Sequence, residues 1–503
     1  MRGLGDPDLT LDDIVTFHAR ARPNAPALIE GERRLTYAAL DETVGALAAA
    51  WPLSGMTPGD RVALIARDGI DWVLAALGVT RAGLVVIPIN VRLSAGEIAF
   101  QLTDSGARSV LHDAVHAALA CQAAEQAADR PVTLSLRTSA PTSGNQAMPT
   151  VTGADDAAIF YTSGTTGRPK GAVLTHRNLL ACNQARRTGL PWDSWTNDDV
   201  CLLVMPLGHI GGFSMVVRTL YFGACGVILP EFEAGATLAA IGRWSVSKMA
   251  LVPLMLQRMV EHPLAGTTDF SRLKVVNHGA APIAGALLDQ ARGVIGCGFS
   301  QGYGMTETAG VMASLDPAAH GRGLSASTGQ AMPGVELRIV GPKGEALPTG
   351  ARGEIQVRGP NVMRGYWHRP DVAAIDGEGW FATGDAGHLD DEGYLFIVGR
   401  IKDMIVTGGE NVYAAEVENA IADHPDVAEV AVIGVPDRDW GEAVRAVVVP
   451  HPGRRIDEAD VIAWTKARIA RFKAPKSVVV ASSLPRNALG KVIKEELRQA
   501  QAQ

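Results

Sequence analysis

The feature that most constrains the fold is the stretch Tyr161–Lys170, YTSGTTGRPK, which lies between two apolar segments. Ala157–Phe160 predicts a buried strand before it, and Gly171–Leu174 predicts another strand after it. The connection is longer than the about two to five residues of a hairpin turn. Its glycines, consecutive N–H groups, hydroxyls and terminal lysine suit a polyphosphate. A solvated Gly/Ser/Thr linker is the structural alternative, and the Walker A pattern is absent.

Composition excludes several classes of protein. The chain has 503 residues, which is enough for two or more domains, and 47% of them are apolar. A net charge of -7 argues against a nucleic-acid binder. The five cysteines lack metal-ligand spacing and favour reduced thiols in the cytoplasm. The acidic N-terminus predicts no secretory signal, and no apolar run reaches the about 18 residues of a membrane span.

The first 130 residues alternate between helix and strand patterns. Thr10–Asp13 resembles a helix-capping start, and residues 27–37 predict a hairpin. Val62–Ile65 and Val85–Pro88 predict strands on either side of a helix at Trp72–Arg81. This βαβ order predicts an α/β fold with a parallel sheet covered by helices on both faces. Residues 131–150 are rich in Ser, Thr and Pro and predict an exposed loop.

A second dense motif is Gln301–Thr308, QGYGMTET. Tyr303 offers a flat face for adenine, and Thr306 offers a hydroxyl for a phosphate. Glu307 offers a carboxylate for Mg²⁺, which prefers hard oxygen ligands and substrate phosphates. A helix cap with a solvated glutamate is the structural alternative.

Other candidates follow predicted strands. His209 lies in a run of small and apolar residues, where a satisfied core histidine is the alternative. The turn Asn277–Pro282 follows a predicted strand at Leu273–Val276, and a simple strand-to-helix turn explains it equally well. Arg92 directly follows a buried strand, where a surface arginine is the alternative. Asp385 ends the motif WFATGD and could accept hydrogen bonds from ribose hydroxyls.

Residues 403–503 predict a separate small α+β domain. The patterns predict strands at Met404–Val406, Val427–Val435 and Ala443–Pro450, and helices at Ala414–Asp423 and Asp457–Arg471. Near the end, a loop carries Lys491, which without context is expected to be solvated.

The motifs YTSGTTGRPKG, YGMTE, WFATGD, GRIKD and PRNALGK occur in one order along essentially the whole chain. In this they resemble the adenylate-forming enzymes, a family of acyl-CoA synthetases, peptide-synthetase adenylation domains and luciferases. The resemblance is greatest to stand-alone medium-chain and aryl acyl-CoA ligases of the feruloyl or chlorobenzoyl type. It implies a large N-terminal domain of stacked βα sheets at residues 1–399, a hinge at 400–402, and a small mobile α+β domain at 403–503.

The resemblance also implies roles for individual residues. The implied catalytic residues are Lys491, Glu307, Thr306 and His209, with Glu307 and Thr162 as magnesium ligands and Lys402 as the hinge. The implied ATP and AMP contacts are Thr162, Ser163, Gly164, Thr165, Thr166, Gly167, Lys170, Ala280, Ala281, Tyr303, Asp385 and Arg400. The implied CoA contacts are Arg92, Gly408, Gly409, Trp440 and Phe472. The implied acyl-pocket residues are Gly208, His209, Gly211, Gly212, His278, Gly279, Gly302 and Met305.

The reaction implied by the resemblance has two steps and uses ATP, Mg²⁺ and CoA. An acid is first converted to an acyl-adenylate with release of pyrophosphate, and a thiol then displaces AMP. Gly208 departs from the family pattern, which usually has an aromatic residue there, and Gly302 offers no charge for a second carboxylate. A hydrophobic monocarboxylic acid is therefore expected as the substrate. Neither a nucleic-acid partner nor an integral membrane segment is expected. An enzyme that loads a carrier protein and a non-catalytic binder are the alternatives; Arg92, Trp440 and Phe472 favour free CoA.

Overall fold

The structure is a computed structural model, and it describes residues 2–50, 55–136, 149–162, 168–281, 283–369, 374–408, 410–486 and 492–501. The chain divides into two compact units. Unit 1 comprises Met1–Glu336 and Val357–Phe381, and unit 2 comprises Leu337–Gln356 and Ala382–Gln503. The predicted hinge at 400–402 lies within unit 2, so the boundary of a moving domain stays a prediction.

The fold is mixed α/β, as the sequence predicts. Its helices are α1 (Leu11–Ala21), α2 (Tyr37–Ala50), α3 (Ile70–Arg81), α4 (Ala95–Ser105), α5 (Ala117–Gln126), α6 (His176–Gly189), α7 (Ile210–Tyr221), α8 (Ala234–Trp244), α9 (Pro253–Val260), α10 (Gly285–Ile295), α11 (Ala414–Ala422), α12 (Glu458–Lys466) and α13 (Lys494–Gln501). Its strands are β1 (Pro26–Glu30), β2 (Arg33–Thr36), β3 (Arg61–Ile65), β4 (Val85–Pro88), β5 (Ser109–His112), β6 (Val132–Ser135), β7 (Asp156–Thr162), β8 (Lys170–Thr175), β9 (Val200–Leu203), β10 (Cys225–Ile228), β11 (Lys248–Leu251), β12 (Val275–Gly279), β13 (Gly298–Met305), β14 (Gly310–Leu315), β15 (Gln330–Ala331), β16 (Glu336–Val340), β17 (Gly353–Arg358), β18 (Gly365–Tyr366), β19 (Phe381–Leu389), β20 (Leu395–Arg400), β21 (Met404–Thr407), β22 (Glu410–Tyr413), β23 (Val427–Asp437), β24 (Gly441–Pro450) and β25 (Ser477–Val480).

Local signals place the first elements where the sequence predicts them. Thr10 caps α1: its hydroxyl accepts from the Asp13 amide at 3.2 Å, while Asp13 Oδ2 accepts from the Thr10 amide at 3.0 Å. This reciprocal capping box satisfies two amides that a helix start leaves open. β1 and β2 form the predicted antiparallel hairpin, and β3, α3 and β4 form the predicted parallel βαβ unit.

Unit 1 contains two sheets. The first has seven strands in the order β18-β8-β7-β4-β3-β5-β6, and its centre from β7 to β6 is parallel. The second has nine strands in the order β15-β14-β13-β12-β11-β9-β10-β1-β2, with a parallel centre from β13 to β1. Antiparallel strands lie at both edges of the nine-stranded sheet and at the β18 edge of the seven-stranded sheet, as in many large mixed sheets.

Both faces of the central strands are covered. Ala63 and Ile65 of β3 pack in one cluster with apolar residues of α4 and α5. Val62 and Leu64 point to the opposite face, because side chains alternate along a strand, and they are also fully buried. The predicted coverage of both faces is therefore confirmed for β3.

One predicted loop contains a strand. Within residues 131–150, which the composition predicts to be an exposed loop, β6 pairs in parallel with β5 over Val132–Ser135. The pairing satisfies backbone groups at the edge of the sheet although Val132 is 62% exposed. Residues 137–148 lie outside the described residues.

A buried charge cluster joins α6 to the turn after it. Arg186 Nε donates to Asp193 Oδ2 at 2.9 Å, and Trp195 Nε1 donates to Asp193 Oδ1 at 3.1 Å. Lys248 Nζ lies 3.7 Å from the same carboxylate, and Arg218 is buried nearby. Burial lowers the pKa of Arg218 to about 10, and Arg186 adds to this shift. Asp193 is therefore a counter-charge shared by several buried cations.

Unit 2 holds most of a four-stranded sheet, in the order β16-β17-β19-β20, and a five-stranded sheet. The second has the order β22-β21-β24-β23, with β25 parallel to β24. α12 ends at Lys466, five residues before the predicted end at Arg471. The chain tightens there, because the amides of Arg468 and Ile469 both donate to the Thr465 carbonyl. In the described part of the chain, no helix is long and apolar enough to cross a bilayer.

Candidate active site

The carboxyl ends of parallel strands bring a first group of polar residues together in unit 1. Asp68 follows β3, Asn90 follows β4, and the segment Leu207–His209 follows β9. The Leu207 amide donates to Asp68 Oδ2 at 3.1 Å, and Asn90 Nδ2 lies 3.4 Å from His209 Nε2. These contacts link the two large sheets where ligands of open α/β sheets usually bind.

Burial sets the charges of this group. It lowers the pKa of His209 to about 4, and the positive charge of Arg92 adds to the effect. Burial also raises the pKa of Asp68 to about 6, although the Leu207 amide and Arg92 act in the opposite direction. At neutral pH His209 is therefore neutral and Asp68 is mostly ionised. His209 can meet a substrate carboxylate as a hydrogen-bonding group but not as a cation.

The predicted phosphate loop leaves and rejoins the seven-stranded sheet at one point. Thr162 at the end of β7 is the register partner of Lys170 at the start of β8. The five residues Ser163, Gly164, Thr165, Thr166 and Gly167 lie outside the described residues, so their contacts with ATP stay a prediction. The two ends of the loop are nevertheless held side by side.

Glu307 stands at the centre of a second group. Tyr366 donates its hydroxyl to Glu307 Oε1 at 2.8 Å, and Thr162 Oγ1 donates to the same oxygen at 3.4 Å. The ammonium of Lys170 lies 5.3 Å from the centre of the Tyr366 ring, within cation–π range. Glu307 is only 9% exposed. The structure thus brings together Thr162, Lys170 and Glu307, which the sequence predicts to hold Mg²⁺ and phosphate.

The donor set fits magnesium bound together with a nucleotide. The hydroxyls of Thr162 and Tyr366 both donate to Oε1 of Glu307. In that part of the chain, no group of three His, Cys, Asp or Glu side chains is arranged to hold a metal. Glu307 would therefore bind Mg²⁺ together with oxygens from the phosphates and water, which is how Mg²⁺ is usually held.

A tight turn fixes Thr306 and Glu307 after β13. The Thr308 hydroxyl accepts from the Met305 amide at 3.0 Å and donates to the Gly310 carbonyl at 2.8 Å. Ala309 adopts a left-handed φ of 51°, which closes the turn. Tyr303 and Met305 lie on β13 before this turn, and the register with β14 shifts at Tyr303. The roles of Tyr303 and Thr306 toward adenine and phosphate stay predictions.

The small residues of the predicted acyl pocket differ in how much space surrounds them. A Cβ added at Gly208 would lie 3.5 Å from the Ile89 carbonyl oxygen, an ordinary contact. At Gly212 an added Cβ would overlap the carbonyl oxygens of Met205 and Pro206. Gly212 is therefore required where the start of α7 packs closely against the backbone of Met205 and Pro206. Gly208 and Gly211 leave room for a larger side chain.

The end of β12 also packs closely against the neighbouring strand β13. A Cβ at Gly279 would overlap the Gly302 carbonyl oxygen, and Ala280 has a left-handed φ of 65°. Ala281 follows in the same turn, and residue 282 lies outside the described residues. His278 is buried with its ring 6.3 Å from that of His320. Burial, helped by His320, lowers the pKa of His278 to about 4.

Unit 2 pairs two of the predicted nucleotide-binding residues with each other. Asp385 and Arg400 are cross-strand partners in β19 and β20, and Arg400 Nε lies 2.7 Å from Asp385 Oδ1. Lys402 lies in a short turn, Ile401–Asp403, and Asp403 pairs with Arg498 of α13 at 2.9 Å. The ion pair between Arg400 and Asp385 orients the Asp385 carboxylate. The contact of Asp385 with ribose stays a prediction.

The predicted CoA contacts of unit 2 include two exposed aromatic rings. Trp440 is 48% exposed and Phe472 is 40% exposed. Lys476 lies 4.6 Å from the centre of the Trp440 ring. Gly408 has a φ of 60°, and an added Cβ would lie 2.6 Å from that ring, so only glycine fits under it. Gly409 and Lys491 lie outside the described residues.

Two residues of the site were missed from sequence. Tyr366 contacts Glu307 and Lys170 from β18, which pairs with β8 beside the phosphate loop. No local pattern marks it, since it lies 59 residues from Glu307 in the chain. Asp68 directly follows a buried strand, as Arg92 does, so the same rule could have found it.

Comparisons with known proteins identify the family of the chain. The family model described as "AMP-binding enzyme" matches residues 15–367, and the model described as "AMP-binding enzyme C-terminal domain" matches residues 416–491. Feruloyl-CoA synthase of Amycolatopsis sp is 40% identical over 95% of this chain and 96% of its own length. Fatty acid–[acyl-carrier-protein] ligase ScoC of Streptomyces coeruleorubidus is 37% identical over 99% of this chain and 98% of its own.

A solved structure shows the same fold. The o-succinylbenzoate CoA synthetase MenE of Bacillus subtilis, in complex with the acyl-adenylate intermediate OSB-AMP, superimposes with a TM-score of 0.86. The two chains are 30% identical, and the alignment covers 96% of this chain and 97% of MenE. The chain therefore belongs to the AMP-binding enzymes, the adenylate-forming family that its sequence motifs resemble.

Proposed function

We propose that the protein is an ATP-dependent acyl-CoA synthetase, an AMP-forming acid–thiol ligase that activates a hydrophobic monocarboxylic acid. The observation that carries the proposal is the group formed by Thr162, Lys170, Glu307 and Tyr366, in which a carboxylate, a cation and a hydroxyl converge beside the phosphate loop. ATP, Mg²⁺ and CoA are the cofactors of this reaction.

In the first step, a carboxylate oxygen of the acid bonds to the α-phosphorus of ATP, and the bond to pyrophosphate breaks. Two anions must approach each other, so fixed cations and donors lower the barrier. Lys170 and the loop amides would supply these, with Lys491 as a further cation and the Thr306 hydroxyl at the α-phosphate. Magnesium held by Glu307 would offset charge on the phosphate oxygens. Neutral His209 would orient the acid without adding a competing charge.

In the second step, the CoA thiol loses its proton to water and its sulfur attacks the acyl carbon. A carbon–sulfur bond forms, and AMP leaves with the electron pair of the broken carbon–oxygen bond. The passage for the pantetheine arm needs residues without bulk, which Gly408 and Gly409 would provide. Arg92, Trp440 and Phe472 would hold the nucleotide end of CoA. Five free cysteines support a reducing, cytoplasmic setting.

The acid is proposed to be wide and to carry a single carboxylate. The residues proposed to line the acyl pocket include Gly208, Gly211 and Gly302, which are small and carry no charge. A second carboxylate would be buried there without a partner, at a cost of several kcal/mol, roughly. Feruloyl-CoA synthase carries the name of an aromatic acid with one carboxylate, which supports an aryl, arylpropenoic or polycyclic acid before a medium-chain fatty acid.

The similarity to ScoC favours one alternative, an enzyme that transfers the acyl group to a carrier protein instead of CoA. The decisive experiment measures pyrophosphate release with ATP, Mg²⁺ and a panel of acids, and then offers CoA or a phosphopantetheine-bearing carrier protein. Acyl-CoA formation from an aryl acid is the expected result. Transfer to the carrier protein alone would replace the proposal by the alternative, and a lack of pyrophosphate release with every acid would refute both.

A further inference from the structure

The side-chain amide of Asn178 lies between helix α6 and a segment that reaches the predicted magnesium ligand. Its Oδ1 accepts from the Thr175 amide at 2.9 Å, which completes the capping box at the start of α6. Its Nδ2 donates to the carbonyl oxygens of Pro360 and Val362, at 2.8 Å each. Asn178 is buried. The oxygen of this amide therefore serves the helix, and its nitrogen serves residues 360–362.

The helix cap alone does not require an amide at this position. The capping boxes of α1 and α4 have a carboxylate, Asp13 and Glu97, at the place that Asn178 takes in α6. A carboxylate accepts the same hydrogen bond, and its negative charge favours the start of a helix. An ionised carboxylate has no hydrogen to donate, whereas an amide has two. The two hydrogen bonds to residues 360–362 are therefore what an amide adds at this position.

Residues 360–366, which we call the clasp, hold the turn that carries Glu307. The Met363 amide donates to the Glu307 carbonyl at 2.8 Å. Asn361 Nδ2 donates to the Thr308 carbonyl at 3.2 Å, and Asn361 is fully buried. The last residue of the clasp donates its hydroxyl to Glu307 Oε1 at 2.8 Å. The clasp therefore holds both the main chain and the carboxylate of Glu307.

The clasp is fixed to the polypeptide on both sides of Glu307. At its far end, β18 pairs with β8, and Lys170 of the predicted phosphate loop is the first residue of β8. At its near end, Asn178 ties it to α6, which directly follows β8. A segment held at both ends cannot slide along β8 without breaking these bonds. The position of Glu307 relative to Lys170 thus depends on the amide of Asn178.

We propose that Asn178 and Asn361 are positioning residues that hold Glu307 where it can bind Mg²⁺ together with a nucleotide. The inference rests on the proposed function, in which Glu307 is the magnesium ligand. Asn178 acts on the start of the clasp, and Asn361 passes its position to the turn at Thr308. Because both act through Glu307, their replacement is expected to weaken the binding that involves Mg²⁺ and to spare the rest.

The test measures the binding of an ATP analogue that has a methylene group between its α- and β-phosphorus atoms. Isothermal titration with Mg²⁺ and with EDTA gives two dissociation constants, and their ratio is the gain in affinity from Mg²⁺. We expect Asn178→Ala to lower this gain by about 10-fold. The matched control is Glu97→Ala, which removes the corresponding capping residue of α4 and should keep the wild-type gain.

Asn361→Leu is a second variant, which acts at the other end of the same path. Asn361 Oδ1 is buried without a hydrogen-bond partner in the described part of the chain, so leucine removes an unpaired oxygen together with the donor. We expect it to lower the gain from Mg²⁺ by a similar factor. Thermal melting of each variant shows that it is folded.

A folded variant that keeps the wild-type gain, or that loses affinity equally with and without Mg²⁺, overturns the inference. A wild type without any gain from Mg²⁺ overturns it as well. A wild type that shows the gain but releases no pyrophosphate with any acid of the panel refutes the proposed function, while the titrations of the variants still decide the inference.

Discussion

Among single residues, Tyr366 contacts both the predicted magnesium ligand and the lysine of the predicted phosphate loop. Its hydroxyl holds Glu307 Oε1, and its ring lies under the ammonium of Lys170. Replacing a residue that orients a metal ligand in this way typically lowers metal affinity by about 10- to 100-fold. Tyr366 is therefore a positioning residue that couples the metal ligand to the phosphate loop.

We predict that Tyr366→Phe weakens binding of Mg·ATP by about 10- to 100-fold, because Glu307 loses a hydrogen bond that fixes its carboxylate. Binding of ATP without Mg²⁺ should change less, since the ring under Lys170 is kept. Isothermal titration with a non-hydrolysable ATP analogue, with and without Mg²⁺, measures both affinities. Tyr366→Leu should weaken both, and equal losses in the phenylalanine variant would contradict the assignment.

Gly208 tests the width of the acyl pocket. An added Cβ would make only ordinary contact with the Ile89 carbonyl, so a phenylalanine can start there without moving the backbone. We predict that Gly208→Phe refills the pocket and costs wide acids about 1–3 kcal/mol more than narrow straight-chain acids. The measurement is the ratio of kcat/KM for a wide and a narrow acid. Gly266→Phe, at an exposed position, is the control. An unchanged ratio in Gly208→Phe would contradict the assignment of Gly208 to the acyl pocket.

At the scale of helices and turns, the buried charge cluster around Asp193 shows how much one carboxylate can contribute to the stability of the fold. Burial alone would raise the pKa of Asp193, but Arg186, Arg218 and Lys248 outweigh it and hold the pKa below its usual range. A carboxyl group whose pKa is lower in the folded chain than in the unfolded chain stabilises the fold at pH values above its unfolded pKa of about 3.9. This stabilisation is lost as the pH falls through the folded pKa. The junction of α6 with the following turn is thus expected to weaken in acid.

We predict that Asp193→Asn lowers the free energy of unfolding by about 3–5 kcal/mol at pH 7, because it leaves buried cations without their counter-charge. The deficit relative to wild type should shrink in acid, where the wild-type carboxyl is itself protonated. Urea unfolding at several pH values measures this. The nearby exposed Asp198→Asn should stay within about 0.5 kcal/mol of wild type. A small effect of Asp193→Asn would show that water or ions replace its charge.

Elements with a strong local signal were predictable from sequence, whereas long-range contacts were not. The capping box at Thr10 and the βαβ unit around α3 follow from residues close in the chain. β6 was missed because its pairing with β5 outweighs a composition typical of loops. The motifs predicted that Thr162, Lys170 and Glu307 act together, but Tyr366 gave no signal, since its contact with Glu307 spans 59 residues of the chain.

For the whole molecule, the two half-reactions are expected to need different placements of the small C-terminal domain. Lys402 lies in the short turn Ile401–Asp403, where the Met404 amide donates to the Ile401 carbonyl. Proline at 402 would fix φ near about -65° and move Ile401 out of the helical region. We predict that Lys402→Pro keeps adenylation but loses thioester formation. Lys402→Ala should keep both, and equal activity of the proline variant in both steps would reject the hinge.

The complementary prediction concerns Lys491. We expect Lys491→Ala to lower adenylation by roughly 10²–10³-fold, since a cation is lost where two anions converge. Thioester formation from a supplied acyl-adenylate should largely survive, because no second anion must then approach. Single-turnover assays of each half-reaction measure the two rates. The control is Lys466→Ala, which replaces an exposed lysine at the end of α12. Equal losses in both steps would mean that Lys491 supports the fold and not the chemistry.

The exposed indole of Trp440 also gives the protein an intrinsic fluorescence signal at the predicted CoA contact. Among the tryptophans in the described segments, Trp440 is the one that lies open to water, at 48% exposure. A small dissolved quencher such as iodide therefore reaches this ring before the others, and the neighbouring Lys476 attracts the anion toward it. A thiol substrate lying over the ring would shield it, so the arrival of CoA could be followed by light emission without attaching a dye.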